Sequence, residues 1–121
     1  MKISKKKLGD ICAEVSAKNI AETMEIAKQH GKENGAQLGY GKLLMDVLLG
    51  KYLIKALNFE DDDTEIEITK DVFSDATQKV VSMSFDGLEG EAGLVMMLES
   101  VVFTSKIEER LFGKETDDEA D

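Results

Sequence analysis

The chain of 121 residues contains no proline, no tryptophan, one cysteine and one histidine. Because Cys12 is the single thiol, an intramolecular disulfide is excluded. With His30 as the one histidine, a structural zinc site lacks the ligands it ordinarily uses. No run of about 20 apolar residues is present, as a membrane-spanning helix requires. We therefore expect no metal, no cofactor and no membrane partner.

Acidic residues outnumber basic ones, and the formal net charge is −10. Direct nucleic-acid binding needs a basic footprint, so we expect none. The charge is unevenly placed. Residues 1–57 carry 10 Lys against 6 Asp and Glu, a net of +4, whereas residues 58–121 carry 5 Lys and Arg against 19 Asp and Glu, a net of −14. A basic half and an acidic half present complementary fields to a protein partner or to a second copy of the chain.

The length is sufficient for one domain and too short for two ordinary ones. The start of the chain, residues 1–8, has no apolar core after its basic residues, so we expect no signal peptide and a cytoplasmic location. Residues 114–121 have Ala120 as their one apolar side chain. We predict a single helical domain over residues 1–113 and a disordered acidic tail over residues 114–121.

The densest apolar run lies in residues 39–57. One set of its residues recurs at helical spacing, and a second set lies on the other side: Leu43, Leu44, Val47, Leu48 and Ile54, then Leu49, Leu53 and Leu57. A helix that is apolar on more than one face is usually buried by several neighbours. We therefore predict a central core helix over residues 41–57, with Gly50 at a bend or a close helix crossing.

The residues before this run also favour helix. Residues 4–17 have Ser4 as a candidate cap and an apolar stripe formed by Leu8, Ile11, Cys12 and Val15. Asn19 and Glu22 form a capping-box pattern, which predicts a second helix that ends at Gly31. One continuous helix over residues 4–30 is the alternative, because neither proline nor glycine separates the two segments.

The second half of the chain is predicted less uniformly. Residues 65–69 alternate polar and apolar, which is the strand pattern, and residues 80–85 either pair with them in a hairpin or belong to a helix over residues 72–84. A capping-box pattern at residues 86–89 precedes a long helix over residues 88–112, which ends at Gly113 and has a candidate break at residues 101–103. The predicted class is mainly α, with four to five helices and at most one short β-hairpin; an α+β fold is the alternative.

Two segments come close to ligand-binding motifs but do not match them. Gly41-Lys42 resembles the end of a phosphate-binding loop, but Ala36 stands at the position of the first glycine and Leu43 at that of the magnesium-binding Ser or Thr. A calcium loop that starts at Asp61 needs Gly at its sixth position and Glu at its twelfth. The chain has Ile66 and Val72 there.

The remaining candidates for chemistry have structural explanations. Cys12 lies on an apolar stripe, and His30 lies at a helix C-terminus, where a cation is favourable. We therefore assign no catalytic, cofactor-binding or metal-binding residue and expect no enzymatic activity. Four methionines are candidates for an adaptable binding surface or for core: Met45, Met83, Met96 and Met97.

One resemblance is carried by pattern. The glycine-punctuated entry to a Leu/Met-rich helix, the helical C-terminal half and the acidic tail resemble the small tail assembly chaperones of long-tailed phages, on Gly39, Gly41, Leu43, Leu44, Met45 and Leu48. The resemblance covers residues 36–121 and contains no diagnostic motif, so it transfers no functional residue. It implies a helical, non-enzymatic protein that coats an aggregation-prone tape-measure protein during tail assembly.

Three functions follow as hypotheses. The first is a non-enzymatic protein-binding or assembly factor, of which a phage tail assembly chaperone is one form, with a helical partner or self-association. The second is an acidic mimic of nucleic acid that inhibits a DNA-binding protein, motivated by the net charge of −14 after residue 57. The third is an enzyme with an unrecognised site, which would require an enclosed polar pocket.

Overall fold

Four helices and two short strands account for most of the residues that the computed structural model describes, which are residues 1–31, 35–85 and 90–113. In chain order the elements are β1 (Lys2–Ile3), α1 (Lys5–Gln29), α2 (Gly35–Ala56), β2 (Ile66–Glu67), α3 (Lys70–Phe85) and α4 (Gly90–Phe112). Helix α2 packs mainly on α1, and α3 packs mainly on α4. The prediction of a small, mainly α domain is confirmed.

Helix α1 is continuous through Asn19, so the alternative prediction of one helix over residues 4–30 is confirmed and the boundary at Asn19 is not formed. Its start is as predicted, because the Ser4 side chain accepts a hydrogen bond from the backbone N–H of Lys7 at 3.1 Å. Its end is followed by Gly31 at φ +69°, the left-handed conformation typical after a helix. The predicted cap at Asn19 is wrong, since this residue is buried in the helix interior, where its side chain bonds other helices.

The two strands join the N-terminus to the segment before α3. They are antiparallel, with Lys2 opposite Glu67 and Ile3 opposite Ile66. The backbone N–H of Ile68 also donates to the carbonyl of Met1 at 2.7 Å. A strand within residues 65–69 is therefore confirmed, and of the two alternatives for residues 80–85 the structure has the helix and not the hairpin strand. Those residues continue α3, whose buried side chains include Phe73, Ala76 and Val80 at helical spacing.

The core lies between one face of each helix. Its largest fully buried apolar side chains are Leu8, Leu49, Leu53, Ile68, Phe73, Val80, Phe103 and Ile107. Helix α2 contributes Leu49 and Leu53, and Leu57 directly follows its end; these three are the second of the two predicted apolar sets. The prediction that both sets are buried is wrong, because the first set lies mostly at the surface: Leu43, Leu44, Val47 and Leu48 are exposed, and Ile54 is half-buried.

Helix α4 runs without the break considered at residues 101–103, and Gly113 follows its end at φ +81°. The β-branched pair Val101 and Val102 is accommodated because both side chains are exposed, whereas Phe103 is fully buried. The capping-box pattern at residues 86–89 and the predicted tail at residues 114–121 lie outside the described residues.

Gly50 lies where α2 crosses α1 and α4, and α2 continues through it. A Cβ atom placed there would lie 3.7 Å from Cys12 Cβ and 3.9 Å from Phe103 Cζ, which are ordinary van der Waals distances. Because alanine fits and is the better helix former, we expect Gly50→Ala to raise the free energy of unfolding by about 1 kcal/mol. Urea denaturation followed by circular dichroism measures this change.

Gly39→Ala is the comparison for this substitution. A Cβ atom at Gly39 would lie 2.9 Å from Met24 Cγ, so the Met24 side chain would have to move. We expect Gly39→Ala to raise the free energy of unfolding by less than Gly50→Ala does, or to lower it. A loss of stability in Gly50→Ala would show that the crossing of α2 with α1 and α4 has no room for a methyl group.

Candidate protein-binding surfaces

Helix α4 has apolar side chains on two opposite sides, one that faces the core and one that faces the surface. The buried positions are Gly93, Met96, Ser100, Phe103, Thr104 and Ile107. On the opposite side an apolar row, which we name the α4 ridge, is formed by Leu94, Val95, Leu98, Val101 and Val102. Each of these five side chains is between 44% and 54% exposed.

Two of the buried side chains of α4 carry hydroxyl groups, and hydrogen bonds explain how these groups are buried. Ser100 Oγ donates to the carbonyl of Met97 at 2.7 Å, and Thr104 Oγ1 donates to the carbonyl of Ser100 at 2.8 Å. Each hydroxyl is therefore satisfied by its own helix and is buried without loss of a hydrogen bond. Helix α4 therefore keeps a buried side that contains Phe103 and Ile107, and its second apolar side, the α4 ridge, lies at the surface.

Helix α2 presents a second exposed apolar surface, which we name the α2 face: Tyr40, Leu43, Leu44, Val47 and Leu48. Beside it runs the α1–α2 groove, with a volume of about 330 Å³. On the α1 side the groove is lined by small residues, among them Gly9, Ala13 and Ala17. Because those side chains are short, Leu43 and Val47 of α2 stand above the groove as its apolar wall, and Lys51 adds a basic group.

The α2 face and the α4 ridge are two separate surfaces on different helices. Helices α2 and α4 meet through their inward sides, where Phe103 reaches Gly50 and Lys42 contacts Glu99. The α2 face and the α4 ridge are on the other side of their respective helices. Both surfaces are therefore turned away from the contact between α2 and α4.

A polar cluster joins α1, α2 and α4 beneath these surfaces. Asn19 Nδ2 donates to Asp46 Oδ2 at 3.3 Å, and Lys106 Nζ donates to Asn19 Oδ1. Lys42 Nζ lies 4.0 Å from Asp46 Oδ1 and contacts Glu99. Burial raises the pKa of Asp46 above its ordinary value, an effect that Lys42 and Asn19 oppose. Burial likewise lowers the pKa of Lys42.

Three of the four candidate methionines come together. Met45, Met83 and Met96 line a groove of about 310 Å³ at the edge of the α2 face, next to Leu44 and Leu48. Met97 is half-buried. Since methionine side chains adapt to differently shaped apolar partners, this groove extends the α2 face as a binding surface.

The other candidate residues are not brought together. Cys12 is buried, which raises the pKa of its thiol to about 12, and His30 is exposed at the C-terminal end of α1. Because α1 is one helix, about 27 Å of helix separates them. The Asp61 carboxylate accepts hydrogen bonds from the backbone N–H groups of Thr64 and Asp63. These bonds shape the turn and lower the pKa of Asp61.

The described residues also contain no group of three His, Cys, Asp or Glu side chains placed to hold a metal ion. Among the helices of residues 1–31, 35–85 and 90–113, none is long and apolar enough to cross a bilayer.

The sequence predicts the helix over residues 88–112, but the spacing of its apolar residues does not indicate that the α4 ridge lies at the surface. One signal was present: the apolar residues of α4 occupy more of the helix circumference than one core face needs. The same excess occurs in α2. Sequence periodicity does not reveal which apolar side of a helix the core leaves uncovered.

The sequence matches no protein family and no curated protein, and the fold matches no solved structure.

Proposed function

We propose that this protein is a non-enzymatic protein-binding factor that covers apolar segments of other proteins during their assembly. The observation that carries the proposal is the exposure of the α4 ridge and the α2 face. A phage tail assembly chaperone is one form such a factor takes.

The energetics support binding at these surfaces. Fully burying a Val or Leu side chain contributes about 1.5–3 kcal/mol, so five half-exposed side chains retain roughly 5 kcal/mol that a partner can recover. Part of this is offset by the freedom lost on association. The partner's contribution must come from apolar surface of its own, because the ridge carries apolar side chains alone.

The shapes favour a helical client. The α4 ridge has the spacing of one helix face, and the α1–α2 groove has the small-residue side and projecting wall that accept an amphipathic helix. A client with a long apolar helix face would match either surface. This is the chemistry of a protein that aggregates until it is assembled.

The acidic-mimic hypothesis has one observation in its favour. An exposed acidic segment joins α2 to β2, with Glu60, Asp61, Asp62, Asp63 and Glu65. Asp62 lies 3.7 Å from Lys5, and Asp61 holds the turn, so two of these carboxylates already have roles within the chain. Binding by mimicry would be mainly electrostatic and would weaken steeply with salt.

Suppression of aggregation tests the proposal. Insulin reduced with dithiothreitol releases its B chain, which aggregates and scatters light; the protein has no disulfide for the reductant to break. We expect equimolar protein to lower the scattering at least twofold, at both about 0.05 M and about 0.5 M salt, because apolar contacts are not screened.

Three valines of similar exposure provide matched variants. Val47→Glu alters the α2 face and Val101→Glu the α4 ridge, while Val72→Glu places the same charge on α3. We expect the first two to lose at least half of the suppression and the third to retain it. Equal activity in all three variants, or no suppression at tenfold excess, would contradict the proposal. Activity confined to low salt would favour electrostatic binding instead.

A further inference from the structure

We infer that the α4 ridge of one molecule docks in the α1–α2 groove of a second copy, head to tail. The inference rests on the proposed function, since it names one partner for the same surfaces. It assigns the chain a way to cover its own apolar surfaces until a client replaces the second copy.

The two surfaces complement each other in charge. The exposed charged residues of α2 are basic, Lys51 and Lys55, and Lys51 lines the groove. The exposed residues that flank the α4 ridge at its two ends are acidic, Glu91 and Glu108. A ridge with acidic flanks placed against the basic α2 side of the groove brings opposite charges together. A ridge placed on another ridge would bring like charges together.

The available area suits a reversible contact. Each surface offers roughly 300 Å² of apolar side chain, the size of the largest patch on a typical monomer. Since somewhat over half of an interface is apolar, this corresponds to roughly 500 Å² per partner, near the lower limit of specific interfaces. We therefore expect association in the micromolar range, which a client with a larger apolar face can displace.

The net charge of −10 opposes association of identical chains. At physiological ionic strength the screening length is about 8 Å, so repulsion between distant charges is weak while contacts across the interface persist. We expect association at about 0.15 M salt to be retained or strengthened at 0.5 M.

The position of the surfaces determines the type of assembly. Because the ridge belongs to α4 and the groove to α1 and α2, each contact joins two different surfaces and leaves a free ridge on one molecule and a free groove on the other. The contact is heterologous, and it continues into chains or closes into rings.

Sedimentation velocity over a range of protein concentrations tests this inference. We expect the average mass to rise above the 13.3 kDa of one chain as concentration increases. Val47→Glu and Val101→Glu should each weaken association at least tenfold, whereas Val72→Glu should behave as the wild type. Circular dichroism identifies a variant that fails to fold.

A mixture of the two defective variants is the sharper test. Val47→Glu keeps an intact ridge and Val101→Glu keeps an intact groove, so an equimolar mixture can form one joint. We expect a species of two chains and no larger one. A mixture that stays at 13.3 kDa, or a wild type that does so at every concentration, overturns the inference. Suppression of insulin aggregation by such a monomer would leave the proposed function standing.

Discussion

Phe103→Ala should lower the free energy of unfolding by about 3–5 kcal/mol, the loss typical for truncating a fully buried phenylalanine. The Phe103 side chain has no exposed surface, and its ring tip reaches the crossing of α2 with α4 at Gly50. Removing the ring leaves a cavity at the point where α2 and α4 meet. For a domain of this size the loss is a large part of the total stability.

The neighbouring residue supplies the control. Val102 is 44% exposed on the α4 ridge, so Val102→Ala should change the free energy of unfolding by no more than about 0.5 kcal/mol. Urea denaturation at the lowest workable protein concentration measures both variants, because self-association would add to the apparent stability. The reverse order, with Val102→Ala more damaging than Phe103→Ala, would mean that α4 is rotated and that the ridge is part of the core.

The helix ends could be predicted from sequence because they depend on local chemistry. Ser4 caps α1 through a residue three positions away, and Gly31 and Gly113 take the left-handed conformation next to the helices that they end. Each signal is complete within one turn of the chain. The mainly α class follows from the same local patterns.

Which side of each helix faces the core could not be predicted in this way. In α2 both apolar sets have helical spacing, and the choice of Leu49 and Leu53 over Leu44 and Leu48 for the core depends on which neighbours pack there. In α4 the inward position of Ser100 and Thr104 depends on hydrogen bonds to their own helix. The partner of β2 was equally hidden, because β1 spans two residues and has no pattern to read.

The role of Asn19 could not be predicted from local sequence either. Its sequence context indicates a helix cap, yet it is buried within α1 and donates to the Asp46 carboxylate. Asn19→Ala removes a hydrogen bond to a buried charged group, so we expect the free energy of unfolding to fall by about 2–3 kcal/mol at pH 7. Lys106, the other partner of Asn19, is partly exposed and keeps Glu22 at 3.5 Å, so it contributes less to the loss.

The loss should depend on pH in a defined direction. Burial raises the pKa of folded Asp46 above the 3.8 of an ordinary aspartate, so its ionisation makes the fold less stable as pH rises from about 4 toward 7. The Asn19 bond favours the ionised form and limits this decline; without it the pKa rises further and the decline becomes steeper. The cost of Asn19→Ala should therefore be smallest near pH 4, at about 1 kcal/mol, the value of a neutral hydrogen bond.

Asp46→Asn separates this explanation from a simple packing defect. The neutral amide still accepts a hydrogen bond from Asn19 and does not titrate, so the charged-group penalty is absent at every pH. We expect Asp46→Asn to be more stable than the wild type at pH 7, and Asn19→Ala in that background to have the same cost at pH 4 and pH 7. If the cost of Asn19→Ala alone is also independent of pH, the Asp46 charge does not govern how α1 and α2 are held together beneath the groove.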